Sequence, residues 1–156
     1  MSSKGKKTQG MKLYIGTSAD DHATDTYVQI KRVDSITPPG PKANVIDITA
    51  LDDAAHEKLK GLVDFGECAF AYKIVPSDAG QIAFRAAAVS NSDELINFKI
   101  DFADPLTVGV GPHTPTLVYF KGLAISNPSD AHNVNGVREG KGAIAVSGAL
   151  IEVAAT

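Results

Sequence analysis

Side chains able to do chemistry are few and scattered. His22, His56, His113 and His132 fall in four separate polar segments. No two have the i,i+4 spacing that sets a pair of imidazoles on one helix face for zinc. Cys68 is the only cysteine, which excludes an intrachain disulfide and a cysteine zinc cage. It alternates with Phe70 and Tyr72, so it reads as a buried structural thiol. No G-x-S-x-G turn exposes a serine nucleophile, and Ser147-Gly148 lies inside a strand pattern. Asp20, Asp21 and Asp25 lack the glycine turn and closing acid of a calcium loop. Gly136-Val-Arg-Glu-Gly-Lys-Gly142 is one residue too short between its glycines for a phosphate loop and runs into a strand, not a helix. Gly109-Val-Gly111 lacks the strand–turn–helix context of a dinucleotide fingerprint. Nothing apolar surrounds the acid pairs Asp52-Asp53 and Asp93-Glu94 to raise a carboxyl pKa. The sequence therefore reads as a non-enzyme that takes no metal and no cofactor.

Charge narrows the partners. The 156 residues hold 15 Lys+Arg against 18 Asp+Glu. Residues 1–10 contain Lys4, Lys6 and Lys7 and no acid, leaving 12 basic against 18 acidic residues in the rest. A body that acidic is poorly suited to grip nucleic-acid phosphates. Residues 1–10 also lack an apolar h-region, so no secretory signal is expected. No apolar run approaches the roughly 20 residues of a membrane helix, so no membrane partner is expected. The reading is a soluble domain made inside a cell.

The elements that must position any functional surface are mostly strands. Residues 1–24 are polar apart from the island at Met11–Ile15, and read as an arm that is disordered in the lone subunit. The domain proper is expected over 25–156. Residues 27–33 set Val28 and Ile30 against Gln29 and Lys31, the alternation of a half-buried strand, until the prolines after Thr37 stop it. Val45–Thr49 resumes in β-branched residues; 50–64 reads as a long, partly helical loop broken by Gly61. Cys68, Phe70, Tyr72 and Ile74 mark a strand over 67–75. Ser77 or Asp78 can cap a helix to Val89, on which Ile82, Arg85, Ala86 and Val89 recur at helical spacing. Ile96, Phe98, Ile100 and Phe102 alternate along 94–102; further strands are expected over 116–126 and 143–153. Six strands and one helix predict a mainly β (α+β) fold, a β-sandwich or open barrel with one packed helix. Its core draws on Phe70, Tyr72, Ile82, Phe98, Phe102 and Ile144.

Four stretches in this order resemble a known family. They are Val33-Asp-Ser-Ile-Thr-Pro-Pro-Gly40 running into residues 44–53, Gly61-Leu-Val-Asp-Phe-Gly-Glu67, Pro76-Ser-Asp-Ala-Gly-Gln-Ile-Ala-Phe-Arg85, and Tyr119-Phe-Lys-Gly-Leu-Ala-Ile-Ser126 with the terminal β-rich segment. Together they make the chain similar to the major tail tube proteins of long-tailed, lambda-like siphophages. The immunoglobulin-like domain that some relatives append is not expected here, as the sequence stops at Thr156. The resemblance implies a subunit that closes into hexameric rings, which stack on a tape-measure protein into a hollow virion tube assembled in the host cytoplasm. Tail tip and tail terminator proteins would be further partners, and viral DNA would pass through the lumen without specific binding, held off by an acidic wall. The helix would cover the outer face of the sandwich. The family's long inter-ring loop falls here on Thr37, Pro38, Pro39 and Gly40, then Leu51, Asp52, Asp53, Glu57, Lys58 and Lys60, and the arm would order on stacking likewise. The alternatives are the ring protein of a related contractile injection or secretion system, and a small-ligand β-barrel.

Overall fold

A computed structural model of the chain describes residues 10–104, 111–130 and 134–156. Lys4, Lys6 and Lys7, His132 and the Gly109-Val110 pair lie outside the described residues. Among the described residues nine strands and one helix follow in order: β1 (Lys12–Ile15), β2 (Val28–Ile30), β3 (Val33–Thr37), β4 (Lys42–Asp47), β5 (Lys58–Asp64), β6 (Glu67–Lys73), α1 (Ala79–Val89), β7 (Ile96–Asp101), β8 (Leu117–Ser126) and β9 (Glu139–Val153). Seven strands form one antiparallel sheet in the order β2-β1-β7-β8-β9-β6-β3, while β4 and β5 pair only with each other.

The large sheet curls until its two edges nearly meet. β2 and β3 are the edge strands, yet only Lys31 and Arg32 separate them in sequence. Arg32 takes φ 62°, a left-handed kink that turns the chain from one edge to the other. Its carbonyl accepts from Lys73 N at 2.9 Å, and the Lys31 carbonyl accepts from Gln81 Nε2 at 2.8 Å. The architecture is thus the open-barrel form of the expected fold, a half-barrel, with the strand read over 27–33 split in two at its corner.

Strand alternation decides which face becomes the core. Leu13 pairs with Ile30 and Ile100, Phe98 with Ile15 and Phe120, and Cys68 with Ile144, so all stand on one face. These side chains are buried, together with Phe70, Tyr72, Val118 and Phe84. Phe102 is partly buried against the same cluster. Gly142 and Gly140 lie opposite Phe70 and Tyr72, where a Cβ would strike the ring atoms. Glycine there lets the aromatic rings lie flat across β9.

Several expectations are corrected. Residues 1–24 are not an arm throughout: β1 lies second in the sheet, because Leu13 and Ile15 find apolar partners on β2 and β7 that are distant in sequence. Residues 50–64 are not a partly helical loop, since Lys58–Asp64 pairs along β4 as a strand. Tertiary pairing overrides the weak β-propensity of its lysines and glycine. α1 begins at the expected N-cap, Asp78, whose side chain accepts from Gln81 N. It buries the Gly80, Gln81 and Phe84 side, with the Phe84 ring edge-on to Phe70 at 4.9 Å, so it covers the core-bearing face rather than the outside. Ile82, expected in the core, is instead 48% exposed. The turn that positions Phe84 inward rotates Ile82 outward.

Candidate assembly interface

The β4–β5 hairpin stands apart from the fold. It barely touches the seven-stranded sheet. An isolated two-stranded ribbon is marginal in water, so it needs a surface to lie on. Its register shows which side would. Ile46 faces Leu59 and Ala43 faces Val63, while Ile48 follows Ile46 at a spacing of two. Ile46, Ile48 and Leu59 share one face of the ribbon and are all exposed, whereas the register shift between Ala43 and Val45 turns Ala43 and Val63 to the other side. The opposite face carries Val45 against Lys60, Asp47 against Lys58, and, past the register shift, Ala43 against Val63. At the tip, Leu51 is fully exposed beside Asp52 and Asp53. The turn is built locally: Asp47 Oδ1 accepts from Thr49 N at 2.9 Å, and Thr49 Oγ1 accepts from Glu57 N at 2.9 Å. The Thr49 hydrogen bonds hold the Asp47 carboxyl below its ordinary pKa.

The residues assigned to the assembly loop fall at two places on this element. Thr37 ends β3; Pro38 and Gly40 are exposed and Pro39 buried in the link to β4 at the hairpin's base. Leu51, Asp52, Asp53 and Glu57 form the tip, and Lys58 and Lys60 lie on β5. Sequence reasoning missed the apolar face itself. Two apolar runs, 45–48 and 59–63, flanking a polar turn are the signature that could have found it.

Other surfaces are closed or already satisfied. The β2 edge is covered by the start of α1: a Cβ at Gly80 would collide with the Gln29 carbonyl, and Lys31 N donates to Asp78 Oδ2 at 3.1 Å. Residues 16–26 fold over the far side of the sheet, held by the Asp25 carboxylate. Asp25 Oδ2 accepts from Thr17 N at 2.7 Å and Asn97 Nδ2 at 2.8 Å. Burial pushes the Asp25 carboxyl up, but the hydrogen bonds from Thr17 and Asn97 outweigh it and hold the pKa below 3.8. Burial, then the charge of Asp25, pushes the Tyr27 phenol up to about 12. Lys99 Nζ rests over the Tyr14 and Tyr27 rings at 4.3 and 4.8 Å. β9 overhangs β6: Ala145 pairs with Glu67, and residues 147–153 pair only with β8 among the described residues.

Among the described residues, no arrangement of reactive groups accompanies these surfaces. Burial pushes the Cys68 thiol up to about 12, which makes it inert. His22 packs on Tyr119, His56 lies beside Thr49 and His113 beside Thr156, on separate parts of the fold. Among the described residues no group of three metal-binding side chains occurs.

Solved structures similar to this fold include building blocks of phage-like tails and injection machines. The chain is similar to one from the tail of an empty gene transfer agent particle refined with C6 symmetry (TM-score 0.68, 18% identity, covering 96% of this chain and 100% of that one). It is also similar to the SPP1 tail tube (TM-score 0.64, 17% identity, 95% and 78%). A third likeness is to a chain of the anti-feeding prophage baseplate, six-fold symmetrised (TM-score 0.69, 11% identity, 99% and 98%). No curated protein matches the sequence. Residues 4–155 match the family described as phage tail tube, TTP, lambda-like, and the chain belongs to that family. It is a structural protein, a subunit of a phage tail tube.

Proposed function

We propose that copies of this chain close into hexameric rings that stack into the hollow tail tube of a virion, through which viral DNA is ejected. The observation that carries this reading is the β4–β5 hairpin, which exposes an apolar face that no described residue of its own chain covers. The residue set Thr37 to Gly40, Leu51 to Asp53, Glu57, Lys58 and Lys60 is the inter-ring contact, ordered onto the next ring on stacking. Ring closure is a heterologous contact whose rotation closes, and stacking is one that does not, so the same subunit can build both. Six copies per ring follow the C6 symmetry of the gene transfer agent tail. A tape-measure protein sets the length, tip and terminator proteins finish the ends, and assembly runs in the host cytoplasm. The acidic balance of the body suits a conduit that repels DNA and lets it slide. A ring protein of a contractile or secretion system would share the fold; the lambda-like family match favours the phage tail. Deleting residues 52–60 tests the hairpin's role. The expected product is a folded, soluble subunit that forms no rods in the electron microscope; normal tubes from that deletion would refute the assignment.

A further inference from the structure

We propose that the outward face of α1 on one copy is the surface onto which the β4–β5 hairpin of the next copy docks; this rests on the tube reading above. α1 is unusual in what it leaves in water. Its exposed side is Ala79, Ile82, Ala83, Ala86 and Val89, with no charge among them. The helix's single charge, Arg85, is half-buried and donates from Nε back to the Gln81 carbonyl. A helix over a solvated sheet ordinarily turns a polar face outward, so this one is built to be covered. The two faces match. Eleven residues of helix span about 16 Å and the seven of β5 about 23 Å. Three alanines keep the helix face flat enough for a ribbon carrying Ile46, Ile48 and Leu59 to lie across it.

Charge sets the direction of docking. The hairpin tip carries Asp52, Asp53 and Glu57. At the N-terminal end of α1, Lys31 and Arg32 are exposed on the β2–β3 corner, lining a groove of about 270 Å³ with Val75, Ser77 and Asp78. The Asp78 carboxylate in that groove is occupied by Lys31 N and Gln81 N. Past the other end of α1 stand Asp93 and Glu94, near which the acidic tip would be repelled. The tip therefore lies at the helix start, away from Asp93 and Glu94. A patch that fits a different site on the same chain is a heterologous contact, which generates an open-ended stack where its rotation does not close. A rival apolar exposure on β9 is limited to two side chains, Ile151 and Val153.

The test uses the full chain carrying Leu59→Cys and Ala83→Cys, assembled into rods and treated with a short bis-maleimide; Cys68 is fully buried and does not compete. A ladder of covalent multimers on a denaturing gel is expected. Rods without that ladder, or a ladder only from the control pair Leu59→Cys and Ile151→Cys, would overturn the helix as receptor while leaving the tube intact. Failure of the unaltered chain to form rods would overturn both. A charge swap needs no cysteine and decides the case if the cysteine variant does not assemble. Arg32→Glu and Asp52→Arg should each raise the concentration needed for rods by about tenfold, and the double variant should restore it. Absence of rescue between two folded variants contradicts the docking.

Discussion

Single residues show where the fold is held by polar contacts that leave no trace in the sequence. Asp25 lies in a stretch that reads as solvated arm, yet its carboxylate ties residues 17–26 to Asn97 on β7. Because its folded pKa is depressed, its stabilisation is fully present above the ordinary value of 3.8 and is lost as pH falls through the folded pKa. Thermal unfolding of the unaltered chain and Asp25→Asn should differ most near neutral pH, and the gap should close below pH 3.8. A gap independent of pH would mean the carboxylate is not the clasp. Gly142 makes a different kind of demand. A methyl there meets the Phe70 and Phe84 rings. Gly142→Ala should cost about 1–3 kcal/mol in denaturant unfolding, an overpacking penalty rather than a backbone one. Cys68 was readable as a buried thiol because its alternation with two aromatics fixes its face. Asp25 was not, since its partners are 8 and 72 residues away.

At the scale of elements, legibility tracks how far local pattern agrees with tertiary environment. β6 and β7 alternate cleanly and α1 has its cap, so all three are visible in the sequence. β1 is four residues in a polar stretch and exists because the sheet supplies neighbours on both sides. β5 reads as helix-permissive until β4 pairs with it. α1 misleads in a more informative way. Its most apolar stripe points to solvent, while the buried side includes Gly80 and Gln81. Gln81 earns that place through hydrogen bonds: its Oε1 accepts from Val75 N, and its Nε2 donates to the Lys31 and Lys73 carbonyls. An apolar stripe left outside marks a helix whose full environment is more than one chain. Phe98→Ala, at the centre of the core stack with Phe120, should lower stability by about 3–5 kcal/mol. Leu59→Asp on the hairpin should leave the unfolding midpoint unchanged and abolish rods, as monitored by sedimentation. Unfolding of the main sheet by that substitution would contradict the hairpin's independence.

For the whole molecule, the decisive feature is the division between a satisfied body and an unsatisfied appendage. The half-barrel encloses its own core, and one of its edges is capped by α1. The hairpin and the outer helix face remain open. The order of motifs made the family readable, whereas the separation of the hairpin from the sheet depends on pairings that only the folded chain reveals. The most direct test is negative-stain electron microscopy of the purified chain across a concentration series. Hollow rods of stacked, six-fold rings above a threshold concentration are predicted. A protein that stays monomeric at every concentration, with its hairpin protected from hydrogen exchange in the lone subunit, would contradict the account.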